Sequence, residues 1–276
     1  MIEQTPDTTN QPVPNKIPSK GPNRVPWTTQ QTFRAVLLTL IPWIAFNLTL
    51  NAMGGNTSST QLLTPAQDFA GALVTIIFTA LVEGIFLIAP FYVARKALQV
   101  LKEAVPVGLR VVGEALGLRR FNFARTLPLL LGLLVLIFAF DWLYGYVVTM
   151  LHLNIQTNDQ VVLQQSKFAP LTTYALLAGS VLIAPLCEEL FFRGLVLPGL
   201  LRELSPVWAV LISAALFAIA HVDPNSFLPL FVIGLALGFI RLRSGSTWAS
   251  ISLHVLNNLL SSVVIVLAMH SIALPF

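Results

Sequence analysis

Charge is what this sequence has least of. Only 10% of its 276 residues are Asp, Glu, Lys or Arg, against roughly 25% in a soluble domain, so there is too little charge to cover a water-facing surface. Cysteine is nearly absent as well. The single Cys187 excludes an intramolecular disulfide and any cysteine-cluster metal site. There is no His-Glu-x-x-His run and no internal repeat of the transporter type. The first residues lack the charged-then-apolar pattern of a cleaved signal peptide. What is abundant is apolar: 55% of the chain is hydrophobic and the mean hydropathy is +0.78. In a soluble protein a net charge of +4 and a pI near 9.5 would suggest nucleic acid. Here the basic residues flank apolar runs, so the expected partner is the lipid bilayer and no nucleic acid is expected.

Residues 1–31 are rich in Pro, Thr, Asn and Gln without an apolar period, and are expected to form a disordered cytoplasmic tail. Seven apolar stretches follow, at 33–53, 69–94, 127–151, 172–195, 207–222, 227–242 and 248–269. A spanning helix needs about 20 residues. The fifth and sixth stretches fall short, which predicts tilted, interfacially extended or re-entrant segments there. The fold class is therefore all-α, a polytopic membrane helix bundle of about seven transmembrane helices, with a range of six to eight. Three regions are expected: the tail (1–31), the N-terminal membrane helices with a basic loop (32–126), and a membrane core (127–276).

The basic residues sort by side. Lys16, Lys20, Arg24 and Arg34 precede or open the first stretch, and Arg95, Lys96, Lys102, Arg110, Arg119, Arg120 and Arg125 lie between the second and third. Arg193 and Arg202 close the fourth, and Arg241 and Arg243 close the sixth. If spans alternate, all of these fall on one face of the membrane and only Lys167 on the other. That asymmetry predicts a cytoplasmic N-terminus and basic loop, and an outside C-terminus. Apolar residues within the loop, such as Leu98, Leu101, Leu109 and Val112, make part of it a candidate interfacial amphipathic helix. A solvated linker is the competing reading.

Ionisable side chains inside a span cost on the order of 2.5–3.5 kcal/mol each, so each needs a reason. The densest group is Cys187-Glu188-Glu189-Leu190-Phe191-Phe192-Arg193. Glu189 and Arg193, four apart, share a helix face and can pair. Glu188 is rotated about 100° from that face and is free for chemistry. The fifth stretch places His221 one turn after Phe217. The last places His254 and Asn258 on one face, with Asn257 about 100° away. A carboxylate, two imidazoles and an amide supply a base for water and donors for an oxyanion, which amide hydrolysis requires. No serine or cysteine nucleophile is needed. Each element alone has a blander reading, since an intramembrane histidine is more often a helix–helix hydrogen bonder and a buried Glu–Arg pair is usually structural.

Together they resemble a known family, the CAAX-processing and bacteriocin-processing (CPBP, or ABI) membrane proteases, which include the type 2 CAAX prenyl protease. Its pattern of Glu-Glu-x-x-x-Arg, Phe-x-x-x-His and His-x-x-x-Asn is matched in order by Glu188-Glu189 with Arg193, Phe217 with His221, and His254 with Asn258. The resemblance covers about 172–269. It implies an intramembrane endopeptidase in which Glu188 and His221 activate water, His254 and Asn258 stabilise the oxyanion, and Glu189 and Arg193 support the site. It implies a membrane-associated peptide or protein substrate, of prenylated CAAX or leader-peptide type. The cofactor stays open at this point: Glu188, His221 and His254 could hold a divalent metal such as zinc in a His₂Glu set, or act metal-free.

Two other classes compete. One is a non-catalytic membrane immunity or scaffold protein of the same fold. The other is a proton-coupled transporter using Glu83, Asp141, Glu188 and Glu189. Glu83 and Asp141 are further candidates for the cavity, Asp141 reading also as part of an interfacial cluster with Trp142, Tyr144 and Tyr146. His152 and His270 are expected at solvated outer ends. A multi-pass location in a prokaryotic plasma membrane is expected. One geometric tension stands: His221 lies about 21 Å along its helix from position 207 and His254 only about 9 Å along its own, so the two meet only if the short helices are irregular.

Overall fold

The structure, a computed structural model, describes residues 25–53, 62–101, 107–153, 155 and 158–270. Among these every regular element is helical, and nine helices follow one another: α1 (Thr29–Ala52), α2 (Pro65–Leu101), α3 (Leu109–Ala115), α4 (Phe123–Met150), α5 (Asn158–Ser166), α6 (Pro170–Leu200), α7 (Pro206–Ala220), α8 (Phe227–Ser244) and α9 (Thr247–Met269). Six of them, α1, α2, α4, α6, α8 and α9, are long and apolar enough to cross a membrane, and α7 is a shorter apolar helix. The chain is a multi-pass helical membrane bundle. Most of its large exposed side chains are apolar, for example Leu38, Ile77, Val135 and Leu182, as a lipid-facing exterior requires.

The expected tail ends earlier than residue 31. Residues 1–24 lie outside the described residues, but Val25 and Trp27 are buried and α1 already begins at Thr29. The physical reason is a reciprocal cap. The Thr28 amide donates to Gln31 Oε1 at 2.8 Å and the Gln31 amide donates to Thr28 Oγ1 at 3.2 Å, satisfying two donors that the helix start leaves open. The same device starts α2, where Thr64 and Gln67 exchange the equivalent bonds. With Pro65 pre-setting the first turn, α2 runs 37 residues rather than the 26 of its apolar run, 69–94.

Among the described residues between α2 and α4, the basic loop carries one short helix, α3, with Val112 buried against the bundle and Arg110 exposed. This loop is tied to the α8–α9 turn rather than left as a linker. The Thr247 amide donates to the Gly117 carbonyl at 2.8 Å, and Thr247 Oγ1 donates to the Leu116 carbonyl at 2.7 Å. Gly117 has φ +82°, and a Cβ there would stand 2.6 Å from Arg241 Nη2, so glycine is required for both conformation and space.

The central helix, α6, is not uniform. Pro185 removes an amide and interrupts the α-pattern at Ile183, and a π-helical segment runs Leu190–Val196. A π segment leaves carbonyls without their usual partner. That of Leu195 accepts a hydrogen bond from Trp27 Nε1 at 3.2 Å, so the N-terminal strap completes the irregular helix. Phe191, Phe192, Arg193 and Leu195 within it are fully buried.

Helices α7 and α8 form a close hairpin. A Cβ on Gly234 would lie 2.9 Å from Ala214 Cα, so the backbones touch where Gly234 stands. With 15 residues, α7 is only about 22 Å long, short of the roughly 30 Å hydrocarbon core. It stops at His221, and Val222 follows with φ +52°. The turn before α8 is held by Tyr144 of α4, whose hydroxyl donates to the Asn225 carbonyl at 2.7 Å.

Candidate active site

The π segment places an ion pair at the centre of the bundle. Arg193 Nη1 donates to Glu189 Oε1 at 2.7 Å, and Nη2 donates to the Gly234 carbonyl of α8 at 3.0 Å. Both side chains are fully buried. The guanidinium lies over the Phe217 ring of α7, 4.6 Å from its centroid, so this one side chain joins three helices. Glu189 is shared: His254 Nδ1 of α9 approaches its Oε1 at 3.2 Å. A carboxylate accepts, so His254 Nδ1 carries the hydrogen. That bond turns His254 Nε2 toward Glu188, whose Oε2 is 3.9 Å away.

Glu188 faces a different way from Glu189, into a cavity of about 140 Å³ that it lines with Glu83 and Phe86 of α2, Trp43 and Asn47 of α1, Phe192, Ala220 and His221. Its Oε2 is buried without a hydrogen-bond partner. His221 Nδ1 lies 2.8 Å from the Phe217 carbonyl. A carbonyl can only accept, so Nδ1 is the donor, and in the neutral ring Nε2 is left as an acceptor. Trp43 anchors this end of α7, its Nε1 donating to the Ala220 carbonyl at 2.6 Å.

The geometric tension over His221 is resolved by the aromatic between the histidines. The Phe217 ring is 4.8 Å from the His221 ring and 5.7 Å, edge to face, from the His254 ring. Because α7 ends at His221, the histidine sits at a helix end beside the cavity rather than deep along a full span.

Not every expected residue faces the cavity. Asn258 Nδ2 donates to the Ser180 carbonyl of α6 at 2.8 Å, so its amide ties α9 to α6. Asn257, read from the sequence as turned away, is the more buried of the two and donates to Asn258 Oδ1 at 3.2 Å. Asp141 does not line the cavity. His152 and His270 are exposed at helix ends. Glu83 does line the cavity, and Trp43 and Asn47 were not singled out from the sequence. Nothing in their own spacing could have found them, because α1 reaches the site through tertiary contacts, the packing of Trp43 on Phe86 at 4.8 Å between ring centroids and its bond to the Ala220 carbonyl. The metal alternative finds no ready cluster: among the described residues no three His, Cys, Asp or Glu side chains are grouped so that they could hold a metal ion.

Residues 170–260 match the family model described as Type II CAAX prenyl endopeptidase Rce1-like. The stretch carrying the three motifs is thus similar to that family, in accord with the resemblance drawn from those motifs. The chain is also 28% identical over 101 residues to the Bacillus subtilis (strain 168) protein named "Putative membrane peptidase YdiL". That similarity spans 37% of this chain and 40% of the length of the relative. No solved structure matches.

Proposed function

We propose that this chain is an intramembrane endopeptidase that hydrolyses a peptide bond of a membrane-associated substrate with a water held between Glu188 and His221. The observation that carries the reading is the orientation of Glu188: buried, with Oε2 making no hydrogen bond, and facing the same cavity as His221. A cavity of about 140 Å³ has room for several waters at roughly 30 Å³ each. His221 accepts from such a water through Nε2, and the Glu188 carboxylate takes its proton as the oxygen attacks the scissile carbonyl. Beside Glu188, His254 presents Nε2 while Nδ1 is held by Glu189. With both ring nitrogens protonated, Nε2–H is a donor for the oxyanion, and the Glu189 carboxylate balances the ring's charge. Arg193 holds Glu189 in place. Asn258 joins the oxyanion donors only by exchanging its present bond to the Ser180 carbonyl.

The substrates that fit are a CAAX-type prenylated protein or a leader peptide, both delivered along the membrane. The basic residues Arg95, Arg110, Arg119, Arg120 and Arg125 favour a cytoplasmic position for their loop and for the N-terminus in a prokaryotic plasma membrane. The test uses purified protein in detergent with quenched peptides, some prenylated at a C-terminal CAAX cysteine. Wild type is expected to cleave, and Glu188→Ala, His221→Ala and His254→Ala to reduce cleavage at least 100-fold, the scale of a lost acid–base group. Cleavage that survives all three substitutions would overturn the assignment.

A further inference from the structure

The cavity holds a second acid that the reading above leaves without a role. Glu83 lies on α2, in the middle of a span, where a carboxyl costs on the order of 2.5–3.5 kcal/mol. It faces Glu188 of α6, His221 of α7 and Asn47 of α1 across the same cavity of about 140 Å³, which no Lys or Arg lines. Its Oε2 is buried and makes no hydrogen bond. Asn47 is a neutral amide whose Nδ2 donates to the Trp43 carbonyl at 2.9 Å, so it brings no charge to offset the carboxyl. Two carboxyls lining one small cavity from neighbouring helices repel when both are ionised, and a single proton held between them removes the repulsion and creates an acid and a base.

We propose that Glu83 is the proton donor to the leaving amine, with Glu188 as its complementary base across the cavity. The inference rests on the peptidase reading. Glu188 takes a proton from water as the water oxygen bonds to the scissile carbon and the carbonyl electrons move to the oxyanion. The carbonyl then re-forms, the C–N bond breaks, and the departing nitrogen takes the proton of the Glu83 carboxyl. The products are a carboxylic acid and an amine. Glu188 is left protonated and Glu83 ionised, and one proton passing through the cavity water from Glu188 to Glu83 restores the starting state. This arrangement separates the two proton transfers onto two helices, so neither carboxyl must turn around between attack and departure.

The test compares two substrates of one sequence, a peptide amide and an activated aryl ester whose phenolate leaves without a proton. Glu83→Gln is nearly isosteric and keeps the side chain in place, which a thermal midpoint verifies. The expected result is a fall of at least 100-fold in amide turnover, the lower end for a lost general acid, with ester turnover falling less than about 5-fold. Glu83→Asp restores part of the amide rate. Equal losses on amide and ester, or no loss on either, would overturn the donor role while leaving Glu188-dependent cleavage intact. Wild-type protein that cleaves neither substrate, or that cleaves both equally well after Glu188→Gln, overturns the peptidase reading itself and this inference with it.

Discussion

Replacing Arg193 by methionine removes the charge that holds the centre of the bundle while keeping much of the side-chain volume. In the wild type the guanidinium makes a 2.7 Å bond to Glu189, a 3.0 Å bond to the Gly234 carbonyl and a cation–π contact 4.6 Å from the Phe217 centroid. Neither it nor Glu189 has any exposed side-chain surface. Breaking a buried pair from one side costs about 3–5 kcal/mol, because the remaining charge stays buried and uncompensated. Here the stranded group would be Glu189, with His254 as its remaining partner. The pair itself is not an efficient source of stability, since Arg193 Nε is buried without a partner. Replacing both members, Glu189→Gln with Arg193→Met, is therefore expected to recover about 2 kcal/mol or more of the single-variant loss. The side-chain amide that Glu189→Gln introduces keeps a carbonyl oxygen to accept from His254 Nδ1. Thermal denaturation in detergent, followed by tryptophan fluorescence, reads both effects. A loss of about 3–5 kcal/mol corresponds to a fall in midpoint on the order of 10 °C for a chain of this size. A single variant within about 1 kcal/mol of wild type, or a double variant less stable than the single, would refute the claim that an uncompensated buried charge dominates.

Four further outcomes are expected. Trp43→Phe deletes the donor to the Ala220 carbonyl, leaving a buried acceptor unsatisfied at a cost of about 1–3 kcal/mol; the midpoint should fall and turnover should fall more than substrate affinity, because His221 is the next residue. Gly199→Val places a side chain onto the Thr32 hydroxyl and is expected to detach the start of α1; adding Thr32→Ala should recover part of the lost midpoint, and no recovery would argue against a steric cause. Trp27→Ala removes the indole donor to the Leu195 carbonyl of the π segment; limited proteolysis should then cut near residues 25–31 faster than in wild type, and unchanged cutting would count against the strap. On the proposed mechanism of a water held between Glu188 and His221, chelation is expected to leave peptide cleavage unchanged; activity lost to a chelator and restored by zinc would instead assign Glu188, His221 and His254 to a metal set.

The spans were legible because lipid leaves so few solutions: an apolar run of sufficient length is a helix, and the runs at 127–151 and 248–269 matched α4 and α9 to within a few residues. Boundaries were less legible at α1 and α2, although the Thr-x-x-Gln caps at Thr28 and Thr64 were present in the sequence. Hydropathy ends where polarity begins, whereas a helix ends where its last backbone donor is satisfied. The π segment was not legible at all. Its freed carbonyl depends on an indole 168 residues away in sequence, Trp27 to Leu195. The site divides along the same line. Helical spacing alone is enough to put Glu189 with Arg193 and Glu188 on another face, because those relations are local. The same reasoning put Asn258 with His254, but could not foresee that the Ser180 carbonyl, just before the break at Ile183, would take the Asn258 amide. Nor could it decide between Glu83 and Asp141 as cavity acids, even with the Trp142, Tyr144 and Tyr146 cluster beside Asp141. Only the packing of α1 and α2 around α6 separates them, by turning Glu83 toward Glu188 and leaving Asp141 off the cavity. In a bundle whose helices are all apolar, residue type locates the chemistry along each helix, and the rotation of each helix decides which groups can act together.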